Sequence, residues 1–147
     1  MLLLESFQAG LSWECVLNKR ENFRKAYDGF DLDKVISYEE NKINELLRNE
    51  DIIRNKRKIN ASINNSRIFK SIVCEYGSFH NYLRAFVGDR TIYETDRTTN
   101  DLSDIISKDL QNRGMIFVGS VIIYSYLQAI GVIYSHDKDC YLYKDEN

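Results

Sequence analysis

The 147-residue chain contains no proline and only seven glycines. A helix interior tolerates proline least, at a cost of about 3 kcal/mol relative to alanine, and glycine next, at about 1 kcal/mol. A chain with none of the first and few of the second is expected to be all-α. Its length suffices for one sizeable core, which predicts a single domain over residues 1–147. Hydrophobic residues make up 44% and charged residues 29%, the balance of a globular rather than a disordered chain. No apolar run approaches the roughly 20 residues that span a bilayer, so no membrane partner is expected. Met1 to Leu4 is too short, and lacks the basic flank, for a signal peptide. Cys15, Cys74 and Cys140 are odd in number and widely spaced, which fits a reducing compartment and a cytoplasmic location.

Local signals divide the chain into helices. Met1 to Ala9 reads as a helix that opens on three leucines with no capping residue, like the middle of a helix whose start is missing. Gly10 and Leu11 make a turn, and Ser12 caps a helix carrying Trp13, Val16, Leu17, Phe23 and Tyr27 that gives way at Asp28-Gly29. Asp31 caps a short helix over 32–36. The run Ser37-Tyr38-Glu39-Glu40 predicts a capping box before a helix burying Ile43, Leu46 and Leu47. Apolar spacing predicts a helix from Lys56 to Tyr76, closed by Gly77. Ser78 caps the next, through Val87. The polar stretch 88–100 is expected to be a loop, and Ser103 to cap a helix ending near Asn112. A last helix, Val121 to Ile130, is apolar on most sides and belongs to the core. No strand alternation, repeat or low-complexity segment is visible.

The segment from about 104 to 130, helix then Val118-Gly119 then a helix starting at Ser120, fits a helix–hairpin–helix unit. Its glycine lets backbone approach a phosphate, and the following helix offers free amides and a positive dipole end. The same pattern also describes an ordinary tight turn between packed helices. Glu5 and Trp13 could hold a flat, cationic ligand, the ring by its face and the carboxylate by its charge, or they could be a surface glutamate and a core tryptophan. The net charge of −2 gives no global pull towards nucleic acid, so DNA contact would need a local patch. Arg54-Asn55-Lys56-Arg57-Lys58 is one candidate, and Lys19, Arg20, Arg24 and Lys25 are another. His136 and Cys140 could share a zinc ion, but structural zinc takes four ligands. Cys15, Cys74 and His80 lie scattered on apolar helix faces, where buried thiols are common.

As an ordered set, these segments resemble the type I DNA-3-methyladenine glycosylases. The matching blocks run from Leu4 to Trp13, Val16 to Arg24, Ile52 to Ile59, Gly77 to Phe79, Ser107 to Gly114, Phe117 to Gly119, Gln128 to Gly131 and His136 to Cys140. The resemblance implies an all-α bundle that flips a damaged base out of double-stranded alkylated DNA and hydrolyses its glycosidic bond. It implies that Glu5 recognises the flipped base and steadies positive charge, and that Trp13 stacks on it. Gln8, Gly10 and Leu11 would fill or flank the gap left in the duplex. Arg113, Val118, Gly119 and Ser120 would contact the DNA backbone. No small-molecule cofactor is implied, only a structural zinc.

The departures bear on activity. Members of that family carry an N-terminal segment, with two of four zinc ligands and several aromatic walls of the base pocket, before the position of Met1. His136 and Cys140 are then a half-site, and zinc is expected to be absent or weak. Arg84 stands where the family usually has tryptophan. Asp137 and Asp139 lie in the zinc-bearing stretch and are not assigned a catalytic role. Alternatives to an active glycosylase are a shortened, catalytically impaired DNA-binding form and a helical interaction protein built on the scaffold. A monomer is expected, with dimerisation through exposed leucines of the first helix as the other possibility.

Overall fold

The computed structural model describes residues 1–143; the last four positions of the expected domain, 144–147, lie outside the described residues. The helices are α1 (Leu2–Gln8), α2 (Trp13–Asn18), α3 (Arg20–Ala26), α4 (Leu32–Ile36), α5 (Glu40–Arg48), α6 (Lys56–Tyr76), α7 (Phe79–Val87), α8 (Asp101–Asn112) and α9 (Ser120–Ala129). A 3-10 turn, Asp28–Phe30, separates α3 from α4. Helices dominate, as the absence of proline predicts.

Two apolar clusters form the core. One gathers Leu4, Phe7, Phe23, Tyr27, Leu46 and Ile59. The other gathers Ile72, Tyr82, Leu110, Tyr124 and Leu127. The long helix α6 serves both, with Ile59 and Ile63 in the first and Ile72 in the second. Helix α1 lies between α6 and α9. Its leucines are not an exposed stripe: Leu4 is buried, Leu3 packs on the first cluster and Leu2 on the second. Much of the apolar surface expected to drive dimerisation is packed within the chain, with Leu2 and Leu3 partly buried.

Several local expectations hold in detail. Ser12 accepts from the Cys15 amide, Asp31 from those of Asp33 and Lys34, and Ser78 from that of Asn81. Others need correction. The helix begun at Ser12 breaks at Lys19 (φ −98°, ψ 1°), and Leu17 is left exposed. The expected box at Ser37 does not form. The Ser37 hydroxyl instead turns back to the Lys34 carbonyl, and α5 starts after Glu39 without a side-chain cap. Tyr38, buried and bonded to Asp28 at 2.6 Å, fixes that corner. Asn100, not Ser103, is the N-cap of α8, with Ser103 as its reciprocal partner three residues on. The segment expected to be a loop contains β1 (Ile92–Tyr93), paired in parallel with β2 (Ile133–Tyr134). Two residues per strand are too few to show alternation in a sequence.

The hairpin between α8 and α9 is built by bonds from three directions. Gly114, at φ +97°, occupies the left-handed position that ends α8. Its amide bonds the Gln111 carbonyl and that of Met115 bonds the Leu110 carbonyl, both at 2.9 Å. From α6, the Asn65 carboxamide accepts from the Ile116 amide (2.9 Å) and donates to the Ile116 carbonyl (2.7 Å). The Ser107 hydroxyl donates to the Val118 carbonyl at 2.8 Å. Between these clamps Phe117 is held at φ +59°, an uncommon backbone state for a residue with a bulky side chain. Replacing Asn65 with alanine strips both bonds from Ile116. The expected loss is about 1–3 kcal/mol, read as a lower urea midpoint with unchanged slope.

Candidate active site

Helix α1 ends in a reversal made by Gly10 at φ +78°, a conformation side chains disfavour. The Leu11 amide bonds the Gln8 carbonyl across it at 2.7 Å. Ser12 then caps α2, so Trp13 is the first residue of that helix. This turn brings Glu5 and Trp13 to one cavity of about 540 Å³. Ser125 and Gln128 of α9, Tyr134 of β2 and His136 complete much of its wall. Glu5 is therefore not a surface glutamate, nor is Trp13 a core residue, since it is only half-buried.

The Glu5 side chain is the anomaly of the site. The residue is 0% exposed, and neither carboxylate oxygen has a hydrogen-bond partner. Burial pushes its pKa above the ordinary 4.5. The Ser125 hydroxyl faces it closely enough to oppose that shift, without the geometry of a full bond. Nearby, burial drives the Tyr126 phenol up to about 12, and the Glu5 charge adds to the effect. A buried ionised group without partners is costly. A cation entering the cavity would supply the missing partner, with the face of Trp13 as a second attraction.

The other predicted residues fall into groups. Leu11 is 40% exposed and Gly10 is exposed, with Gln8 half-buried beside them; the three form the outer edge of the turn. At the hairpin, Val118 is buried and offers only backbone. Gly119 is the N-cap of α9 and provides no side-chain cap, while the Ser120 hydroxyl bonds Asp104 of α8.

Arg113 is engaged by two carboxylates of its own chain. Its guanidinium donates to Asp109 at 2.8 Å and to both Glu75 oxygens at 2.6 and 3.2 Å. It also lies 5.7 Å from the Tyr76 ring centre and 5.6 Å from that of Tyr82. The basic run at 54–58 is likewise dispersed. Arg54 pairs with Glu50, Lys56 with Glu40, and Lys58 is buried. Arg57 is exposed, beside Phe117 of the hairpin.

His136 Nδ1 lies 3.4 Å from Cys140 Sγ, so the pair does converge. Among the described residues no group of three or more His, Cys, Asp or Glu side chains could hold a metal ion. Two donors do not complete the set of four that structural zinc takes. Cys74 and His80 are exposed and Cys15 is half-buried, against the expectation of buried thiols.

Ser125 and Tyr134 were not predicted. Ser125 and Gln128 are three apart, which puts a polar face on an otherwise apolar helix and could have marked it as lining a site.

A family model of the methyladenine glycosylases matches residues 1–143. The chain is 37% identical over 149 residues to DNA-3-methyladenine glycosylase 1 of Escherichia coli strain K12, covering 97% of this chain and 80% of that protein. It is 30% identical over 145 residues to the DNA-3-methyladenine glycosylase of Haemophilus influenzae strain Rd, covering 95% and 78%. The solved structure of 3-methyladenine DNA glycosylase I from Staphylococcus aureus, described for its recognition of 3-methyladenine, matches with a TM-score of 0.92. Identity there is 32%, over 99% of this chain and 81% of that one. With a buried glutamate and a tryptophan meeting in one cavity and a helical hairpin beside them, the chain belongs to the methyladenine glycosylase family.

Proposed function

We propose that this chain is a DNA-3-methyladenine glycosylase, taking 3-methyladenine out of alkylated duplex DNA and hydrolysing its bond to deoxyribose. The observation that carries this is the unpartnered Glu5 carboxylate in a cavity walled by Trp13. In DNA, adenine methylated at N3 is cationic and its glycosidic bond is weakened. The bond from C1′ to the ring nitrogen breaks, its electron pair leaves with the base, and the base departs neutral. Water oxygen joins C1′ and gives up a proton. A neutral leaving group needs no strong acid, so the site must hold positive charge rather than supply a proton.

Each residue then has a task. Glu5 recognises the charged base and stabilises charge developing on the sugar. Trp13 stacks on the base. Gln8, Gly10 and Leu11 occupy the gap in the duplex, where unstacking costs a few kcal/mol and least at a damaged pair. The uncapped amides of α9, at Ser120 and beyond, hold a backbone phosphate, with Val118 and Gly119 shaping the approach. Arg113 acts at one remove, by fixing the end of α8. No small-molecule cofactor takes part, and zinc at His136 and Cys140 is weak or absent because the described donors stop at two. The chain works as a monomeric helical unit whose DNA-binding hairpin spans α8 and α9. No helix among the described residues is long and apolar enough to cross a membrane.

The test is release of 3-methyladenine from methylated duplex DNA, beside Glu5→Gln. The expected fall in the variant is about 100-fold or more. Equal release by both would remove Glu5 from the chemistry, and none from the unaltered chain would refute the proposal.

The same substitution should raise stability at neutral pH. Because the folded-state pKa of Glu5 is raised, the folded chain keeps a proton that the unfolded chain releases. Stability therefore falls as pH rises through the window above 4.5. Glu5→Gln removes that loss, for an expected gain of about 2–5 °C in Tm at pH 7. The gain should vanish below about pH 4, where both states hold the proton. An unchanged or lower Tm at pH 7 would contradict the buried-charge explanation.

A further inference from the structure

We propose that Lys58 is a positioning residue for this reaction, holding the α1 turn, and with it Glu5 and Trp13, in register with the DNA-side hairpin. The proposal rests on the glycosylase reading above.

Lys58 is placed where a lysine gains nothing from its own helix. It lies in the first turn of α6, where the helix dipole disfavours a cation, and it is 7% exposed. Burial pushes its pKa below the usual lysine range. Among the described residues no carboxylate pairs with it. What offsets these costs lies on α1. The ammonium donates to the carbonyls of Phe7 and Ala9, both at 2.6 Å. These carbonyls belong to the last turn of α1, where the chain reverses at Gly10 and the helical acceptors lose their own partners. A cation is what the C-terminal end of a helix favours. Lys58 is therefore a C-terminal cap delivered from a distant helix.

Its nitrogen also lies 5.9 Å from the ring centre of Phe117, at the strained tip of the hairpin. One side chain thus touches the turn that sets Glu5 against Trp13 and the loop that leads into the uncapped start of α9. Asn65, two turns further along α6, clamps the same loop through Ile116. Helix α6 carries both registrations, and Lys58 is the one that reaches the end of α1, the helix that carries Glu5.

The experiment uses the full chain and its single tryptophan, Trp13, as reporter. Lys58→Met is compared with Lys58→Arg, which keeps charge and donors, and with Lys56→Met, which removes an exposed cation one residue from Arg57. Without any base, acrylamide quenching of Trp13 should rise about twofold in Lys58→Met at unchanged far-ultraviolet circular dichroism. Lys58→Arg should restore it and Lys56→Met leave it alone. In titrations with 3-methyladenine, Lys58→Met should bind about 10- to 100-fold more weakly, the scale expected for about 1 Å of misplacement. Wild-type quenching together with wild-type base affinity in Lys58→Met would overturn the proposal. If that variant does not fold, Lys58→Gln, which keeps an amide donor for one carbonyl, takes its place with the same two outcomes. Absence of base binding and release in the unaltered chain would count against the glycosylase reading, while base-free quenching still decides whether Lys58 positions Trp13.

Discussion

The packing of α1 between α6 and α9 is the constraint on which the site depends. A helix of seven residues is too short to be stable in water alone. It persists because Leu4 and Phe7 fill the first cluster, because Leu2 touches the second, and because Lys58 holds its final carbonyls. The side that these contacts leave turned towards α9 carries Glu5. Burying the carboxylate is thus a consequence of docking the helix, and the short reversal at Gly10 adds Trp13 to the same cavity.

That arrangement trades stability for chemistry. Much else around α1 is satisfied: Leu4 and Phe7 are packed and the carbonyls of its last turn are bonded by Lys58. Glu5 is buried without a partner and raised in pKa, a cost that a purely structural helix would have shed. A cationic ligand repays it. The Tyr126 phenol, already neutral at neutral pH and raised further by burial and by the Glu5 charge, offers no competing anion. The hairpin is the opposite case. Gly114, Asn65 and Ser107 satisfy its backbone from three sides, leaving the first amides of α9 without a side-chain cap.

What was legible in the sequence is what local physics decides. Ser12, Asp31 and Ser78 cap as expected, Gly77 ends α6, and Gly10 makes its turn. Some of the departures share a cause: a partner outside the local run outbid a local preference. Tyr38 buries against Asp28 and the Ser37 box is lost. Arg113, which the resemblance gives as a DNA contact, is bonded to Glu75 of α6. Lys58, in a run read as a candidate DNA-contacting patch, is pulled inside by carbonyls about fifty positions earlier. Glu5 and Trp13 are a mixed case. Their residue types suggested a cationic, planar ligand, but their spacing alone favoured a surface glutamate and a core tryptophan. Only the resemblance to a known family separated these, and only the fold showed that both side chains line one cavity.

The most direct measurement of the central claim is a titration of the glutamate side-chain carboxyls by carbon-13 NMR, on the chain with labelled glutamate. One resonance, absent from Glu5→Gln, should titrate with a midpoint above the ordinary glutamate value of 4.5. A Glu5 midpoint at or below 4.5 would mean that the carboxylate is solvated or paired in solution, and the site would lose the unpartnered charge on which it is built.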